Sequence, residues 1–270
     1  MKILISVDME GIAGVTCWDD VDDAKPAYER FRKVMTDEVN AAVEGALEGG
    51  ATDVLVNDSH DRMRNVLIEK LHPKAELVSG YPKPLGMMCG VDSGVDLAFL
   101  IGYHAKAGTP DAILDHSWSS SRVHALYVNG QELGETGLSA ALAGHFGVAV
   151  ALVTGDRAVT VEAQALLGPE LQTVAVKDAY GRSSARCLSP GEAHARVRTA
   201  AQAAVGGPWP KPLAIEPPVR VGIEFMTSLH AENAAILPGA QRVSGRRVDW
   251  VGEDVIMAYR GMLAMLTLAW

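Results

Sequence analysis

Residues 1–11, MKILISVDMEG, place an apolar segment directly before two carboxylates. The segment from Lys2 to Val7 has the length and the β-branched content of a buried strand. In an extended chain alternate side chains share a face, so Asp8 and Glu10 point the same way. Two like charges this close repel, and unless a cation or a proton lies between them one carboxyl must raise its pKa. The stretch therefore predicts a strand that ends at a positively charged ligand.

The same alternation of short apolar segments with helical patterns continues along the chain. Predicted strands cover residues 2–7, 53–57, 97–103, 148–156 and 171–178. Predicted helices cover residues 25–48, 65–71, 135–145, 159–167 and 190–205. This order is typical of an α/β fold whose mainly parallel or mixed sheet is flanked by helices. Residues 122–135 predict an inserted hairpin that turns at Asn129-Gly130.

The clearest interruption of this order is GGPWPKPLAIEPP, residues 206–218, which is rich in glycine and proline. We expect a single α/β domain over residues 1–270, with 207–270 as a candidate C-terminal subdomain. The last segment, EDVIMAYRGMLAMLTLAW, has an amphipathic helical pattern. It fits either a subdomain or the last helix of the same unit.

Composition excludes several classes of partner. The net charge is −9, with 24 basic and 33 acidic residues and no block of Lys or Arg, which argues against nucleic acid and against membrane surfaces. The N-terminal apolar segment is too short for a signal peptide or a membrane span. Cys17, Cys89 and Cys187 are odd in number and scattered, which predicts a cytoplasmic protein without disulfides. Any metal would then be held by nitrogen and oxygen.

Metal-competent side chains follow three successive predicted strands. They are Asp8 and Glu10 after the first strand, Asp58 and His60 after the second, and His104 after the third. The carboxyl ends of parallel strands line the crevice where ligands bind, so we expect these groups to meet. Any one of them could equally be a turn former or a helix cap, but the set together favours a ligand site. Further along, LDHSW contributes Asp115 and His116, and Glu135 begins a helix, where the macrodipole favours an acid in any case.

Eight motifs carry a resemblance to a known family. They are SVDMEG, VLVNDSH, LHPKAELVSG, GYHA, DHS, GETGL, VTGD and CLSP. In this order and over nearly the whole chain, the sequence resembles family M55, the D-aminopeptidases with a dinuclear zinc centre.

The resemblance implies a ligand set and a catalytic residue. The positions that match the family's zinc ligands are Asp8, Glu10, His60, His104 and Glu135. His116 matches the catalytic histidine, proposed in the family as a nucleophile. Glu132 is a second carboxylate near the last ligand, and the GETGL context favours Glu135.

Coordination arithmetic independently favours two metals. A catalytic zinc keeps about three protein ligands and one open position, so five ligands suit two ions if one carboxylate bridges them. Asp8 is our candidate for the bridge. A metal-bridging hydroxide would then attack the amide carbonyl, which makes a side-chain nucleophile unnecessary. For His116 we therefore favour acid–base chemistry over direct attack.

The function implied is that of a zinc-dependent aminopeptidase, with two Zn²⁺ per chain, that cleaves short peptides with an N-terminal D-residue of the D-Ala type. The family also implies a homodecamer. One alternative is another dinuclear metallohydrolase, an amidase, deacetylase or phosphoesterase, because the same metals polarise carbonyl and phosphoryl oxygens. The other is a non-enzymatic site that holds a structural metal or sequesters peptides.

Five further residues have expected roles outside the ligand set. Asp115 is a candidate to orient His116, Asp58 to support the ligating histidines, and Asp156 to join the crevice. We expect Lys177 and Arg182 to lie on solvated faces, with contact to a substrate carboxylate as the alternative.

Overall fold

The computed structural model describes residues 1–269 and contains twelve strands and six α-helices. The strands are β1 (Lys2–Val7), β2 (Asp53–Asp58), β3 (Ala75–Val78), β4 (Leu97–Tyr103), β5 (Val123–Val128), β6 (Gln131–Glu132), β7 (Ala149–Asp156), β8 (Gln172–Gly181), β9 (Ser184–Cys187), β10 (Val219–Phe225), β11 (Gln241–Arg242) and β12 (Arg247–Gly252). The helices are α1 (Tyr28–Glu48), α2 (Glu135–His145), α3 (Arg157–Leu167), α4 (Pro190–Gly206), α5 (Ser228–Ala234) and α6 (Val255–Leu268). Among residues 1–269, no helix combines the length and the apolar character that crossing a bilayer requires.

The larger sheet has seven strands in the order β3-β2-β1-β4-β7-β8-β9. All neighbours in it are parallel except β9, which runs antiparallel to β8. From β1 the chain first builds the sheet in one direction through β2 and β3, and then builds it in the other direction from β4. The strand order therefore reverses between β1 and β4, and such a reversal opens a crevice at the carboxyl ends of these two strands.

Helices cover both faces of this sheet, which explains why its strands are apolar almost throughout. On one face α1 packs against α4, and α1 buries Met35, Val39 and Val43 at helical spacing. The two helices approach so closely that a Cβ on Gly45 would overlap the carbonyl of Arg198. The other face carries α2, α3 and the smaller sheet. The loops that follow the strands lie at the carboxyl edge of the sheet, between the two layers.

The smaller sheet is antiparallel, in the order β11-β12-β10-β5-β6. Its β5–β6 hairpin turns at Asn129 and Gly130, whose positive φ angles of 47° and 86° confirm the predicted Asn-Gly turn. Strands β10 and β12 come from the C-terminal segment and pair with the inserted hairpin. The single domain over 1–270 and the subdomain from 207 stay predictions, and Trp270 lies outside the described residues.

Most predicted elements are confirmed, and one is wrong. The fold class is confirmed, as are the five predicted strands and the helices that correspond to α1, α2, α3 and α4. The helix predicted over residues 65–71 is instead a loop with a single 3₁₀ turn, Ile68–Lys70. Asp58 accounts for part of the difference, because it accepts hydrogen bonds from the backbone of Asn65 and Val66 and fixes this segment as a loop.

Candidate metal centre

The loop that follows β1 is hydrogen-bonded to the carboxyl end of β4 at the point where the strand order reverses. The backbone N–H of Asp8 donates to the carbonyl of Ile101 (2.9 Å), and that of Gly11 donates to Gly102 (2.8 Å). A Cβ on Gly11 would collide with the Tyr103 carbonyl, so this close approach requires glycine. The carboxylates after β1 and the histidine after β4 are thereby fixed side by side.

Six titratable side chains meet in this crevice, and each is less than 9% exposed. They are Asp8, Glu10, His60, His104, His116 and Glu135. The structure thus brings together all six residues that the sequence singled out as ligands or as the catalytic residue. Two groups have ligand atoms that lie within 4.8 Å of one another: Asp8, Glu10 and His104, and His104, His116 and Glu135.

Asp8 lies at the centre of the cluster. Its Oδ1 is 3.3 Å from Nδ1 of His60, and its Oδ2 is 3.5 Å from Nε2 of His104. Glu10 Oε2 lies 3.0 Å from the same His60 nitrogen, and Glu135 Oε1 lies 3.4 Å from the same His104 nitrogen. His60 and His104 therefore each face one oxygen of Asp8 and one further carboxylate, which is Glu10 for His60 and Glu135 for His104.

Backbone carbonyls fix which nitrogen each imidazole turns toward the cluster. His60 Nε2 faces the carbonyl of Val21 (2.9 Å), and His104 Nδ1 faces that of Ala105 (3.0 Å). Since a carbonyl oxygen only accepts, these ring nitrogens carry the hydrogen. The other nitrogen of each ring is then free to donate a lone pair, which is the arrangement expected of a metal-ligating histidine.

Glu135 lies in the crevice, whereas Glu132 lies outside it. Glu135 is the first residue of α2, and its Oε1 accepts a hydrogen bond from the backbone N–H of Trp118 (2.7 Å). Glu132 lies in β6 and forms a partly exposed ion pair with Lys106. The structure thereby separates two carboxylates that are only three residues apart in sequence.

The cluster fits metal ions better than it fits hydrogen bonds among its own members. Within residues 1–269, Glu10 Oε2 and His104 Nε2 are buried polar atoms without a hydrogen-bond partner. Both have an oppositely polarised atom within 3.0–3.4 Å, yet the geometry is not that of a hydrogen bond. Orphaned buried polar atoms are costly, and a nitrogen and oxygen donor set of this kind suits zinc.

The charges in the cluster are strongly coupled. Burial and the neighbouring Glu10 raise the pKa of Asp8 to about 7. Burial works against the charged forms of His60 and His104, but Glu10 and Glu135 outweigh it and hold both histidine pKa values well above the usual range. The three carboxylates thus favour positive charge in the cluster. A metal ion would compete with the protons on His60 and His104 for the same ring nitrogens.

His116 differs from the other two histidines. Its Nδ1 faces the carbonyl of Leu114 (2.8 Å), and its Nε2 lies farther from the carboxylates, 4.0 Å from Glu10 and 3.8 Å from Glu135. Its ring stacks on His104, with centroids 4.0 Å apart, and Trp18 packs edge-on against it. Burial and the adjacent His104 lower its pKa, which favours the neutral imidazole, the form that can accept a proton.

Lys177 was predicted to lie on a solvated face, and that prediction is wrong. Its side chain is 1% exposed, and Nζ donates to the carbonyls of Glu10 (2.5 Å), Ile12 (2.9 Å) and Val15 (2.7 Å). The lysine therefore fixes the loop that carries the first two carboxylates. Its position inside the predicted strand 171–178 indicated burial, although not the partners of Nζ, because strands of a mainly parallel sheet are covered on both faces.

Two acidic residues near the cluster have structural roles. Asp58 holds the loop after β2 and does not contact the histidine rings, although Asn65, which it binds, also donates to the backbone carbonyl of His60. Asp156 caps α3 through Val159 and accepts from the backbone of Ile113.

Asp115 was a candidate to orient His116, and the structure assigns it a different partner. It accepts from Arg182 Nε (2.7 Å) and from the backbone N–H of Gly108 (2.7 Å). The backbone of Leu114 orients His116 instead.

Comparisons with known proteins agree with this geometry. A family model described as D-aminopeptidase, peptidase M55, matches residues 1–264. The chain is 41% identical over 272 residues to a D-aminopeptidase of Bacillus subtilis strain 168, across 100% of this chain and 98% of that protein. It also matches a solved structure described as the Zn-dependent D-aminopeptidase DppA from Bacillus subtilis, a self-compartmentalizing protease. That match has a TM-score of 0.96 and 39% identity and covers 100% of this chain and 98% of the solved one.

Proposed function

This chain belongs to peptidase family M55, the D-aminopeptidases, and we propose that it cleaves short peptides with an N-terminal D-residue by means of two zinc ions held in the crevice between β1 and β4. The observation that carries the proposal is the grouping of four buried nitrogen and oxygen ligand residues around one central carboxylate, Asp8. D-specificity comes from the family alone, because no contact in the crevice reports the handedness of a substrate.

The proposed ligands form two sets that share Asp8. One set is Asp8, Glu10 and His60, and the other is Asp8, His104 and Glu135. The assignment is supported by the two oxygens of Asp8, each of which faces a different histidine. Three protein ligands for each ion leave open positions for water and substrate, as a catalytic zinc requires.

When bound, zinc polarises the oxygen of a scissile carbonyl and lowers the pKa of a water molecule. The chain's own contribution to proton movement is assigned to His116. Its Nδ1 hydrogen is held by Leu114, so Nε2 is the atom that accepts a proton and delivers it to the leaving nitrogen of the peptide. Burial lowers the pKa of His116, which favours the form with an unprotonated Nε2.

Family membership favours this activity over the amidase, deacetylase or phosphoesterase alternatives. The surplus of donors disfavours a purely structural metal site, which closes around four ligands and leaves no additional histidine. The crevice is therefore assigned to catalysis and not to metal storage.

Two properties beyond the active site complete the proposal. Because the solved relative is described as self-compartmentalizing, this chain is expected to form an oligomer, and the resemblance favours a homodecamer. A cytoplasmic location is proposed from the cysteines: Cys17, Cys89 and Cys187 are all free thiols.

The direct test compares hydrolysis of D-Ala-D-Ala and L-Ala-L-Ala before and after treatment with a zinc chelator. We expect cleavage of the D-dipeptide, little cleavage of the L-dipeptide, and loss of activity on chelation that added zinc restores. Preference for the L-dipeptide, or activity that survives complete removal of the metal, would contradict the proposed function.

A further inference from the structure

Arg182 lies beside the segment that carries His116. It occupies the turn between β8 and β9, and its backbone carbonyl accepts a hydrogen bond from the N–H of Leu114 (3.0 Å). The carbonyl of the same Leu114 fixes the His116 ring. The turn and the catalytic histidine are therefore held by the N–H and the carbonyl of the same residue, Leu114.

The Arg182 guanidinium is held in one orientation, but only some of its N–H groups form hydrogen bonds. Nε donates to Asp115 Oδ1 (2.7 Å) and Nη2 donates to the Asp115 carbonyl (2.9 Å). Within residues 1–269, Nη1 has no hydrogen-bond partner, and the side chain is 48% exposed. Asp115 is itself mostly buried, so the pair is a fixed support that presents the remaining N–H groups to solvent.

Trp18 connects this guanidinium to the catalytic histidine. The Arg182 Cζ lies 5.7 Å from the centroid of the Trp18 ring, and that ring lies 5.3 Å from the His116 ring. The distance from Arg182 Cζ to the centre of the His116 ring is therefore no greater than the sum of these two distances. A peptide chain advances about 3.8 Å per Cα, so one or two residues beyond the scissile bond span this gap once the length of a hydrogen bond at each end is counted.

Other cations near the crevice are less suited to meet a substrate. Lys177 and Lys83 are buried and donate to backbone carbonyls. Lys106 is paired with Glu132. Arg62 and Arg64 line a cavity of about 340 Å³ on the far side of His60, where the ring turns its Nε2 to Val21 and away from the cluster.

We propose that Arg182 binds the C-terminal carboxylate of the peptide substrate and so makes the site selective for short peptides with a free carboxyl end. This inference rests on the proposed function. Since His116 delivers a proton to the leaving nitrogen, the residue on that nitrogen extends past His116 toward Trp18 and Arg182. A guanidinium binds a carboxylate through charge-assisted hydrogen bonds, and Arg182 has N–H groups that its contacts with Asp115 leave available.

The test compares D-Ala-D-Ala with its C-terminal amide, D-Ala-D-Ala-NH₂, in the zinc-loaded protein. The variant is Arg182→Met, which keeps the aliphatic stem and removes the charge. Arg186→Met is the matched control, because Arg186 lies on the same hairpin and is 72% exposed, but it pairs with Asp178 and not with Asp115. Zinc content per chain is measured for every variant.

We expect the unaltered protein to favour the free acid over the amide, chiefly through KM. Arg182→Met should raise KM for the acid by about 10- to 100-fold, the usual value of a hydrogen bond to a charged group. The kcat for both peptides and the KM for the amide should stay nearly unchanged. Arg186→Met should keep the preference. Equal use of acid and amide by the unaltered protein, or a preference that survives in Arg182→Met, would overturn this inference while leaving the D-aminopeptidase activity intact. Failure to cleave either peptide would overturn the proposed function and this inference together.

Discussion

Asp8→Asn is expected to lower kcat/KM for D-Ala-D-Ala by at least about 10³-fold, ~4 kcal/mol of transition-state stabilisation, and to leave less than the full zinc content. The asparagine keeps the shape of the side chain but loses its charge and one carboxylate oxygen. Asp8 is the residue that faces both histidines, so the change weakens both proposed zinc sites at once. Loss of a residue that merely supports a ligand costs about 10- to 100-fold in metal affinity, and loss of a shared ligand should cost more.

The measurement is zinc per chain by elemental analysis, alongside steady-state kinetics. Asp53→Asn is the matched control, because Asp53 is an exposed acid at the start of β2, far from the carboxyl end of the sheet. The control should keep both zinc and activity. Full zinc content and near-normal activity in Asp8→Asn would refute the role of Asp8 as the bridge.

His116→Ala is expected to lower kcat by about 10²- to 10⁴-fold, the usual contribution of a general acid–base residue, while zinc content stays at that of the unaltered protein. This separation of activity from metal content follows from geometry. His116 Nε2 lies 3.8–4.0 Å from the nearest carboxylates, whereas the nitrogens of His60 and His104 lie within 3.0–3.5 Å of theirs.

A measurement on the unaltered protein distinguishes the two roles considered for His116. A nucleophile would leave a trapped covalent intermediate on the histidine in rapid-quench mass spectrometry of the unaltered protein, and an acid–base residue would not. His124→Ala on the exposed side of β5 is the control and should change neither kcat nor zinc content. A zinc content that falls together with kcat in His116→Ala would make His116 a ligand and contradict the assignment.

The sequence was sufficient for the core of the fold because the decisive signals are local. Each apolar segment of the larger sheet is bounded by turn or cap residues, and α1 shows its buried stripe at helical spacing. The chemistry followed from topology, since Asp8, His60 and His104 all lie within two residues of the ends of parallel strands. Residues at such positions must share one edge of the sheet, whatever the detail of the loops.

What could not be predicted depends on contacts between distant residues. Lys177 lies 167 positions from Glu10, whose carbonyl it binds, and no local pattern encodes that pairing. The smaller sheet joins a central hairpin to C-terminal strands. The loop around His116 contains Leu114 and Trp118 at positive φ (51° and 63°), a conformation that non-glycine residues adopt only when the surrounding structure holds them there.

The central claim is that one crevice holds two zinc ions and that both are needed for activity, and a titration of metal-free protein with zinc tests it most directly. Bound zinc and the rate of D-Ala-D-Ala hydrolysis are measured at each addition. The structure predicts that binding saturates at two equivalents per chain and that full activity is reached only at the second. Saturation at one equivalent, or full activity before the second ion binds, would contradict the dinuclear assignment.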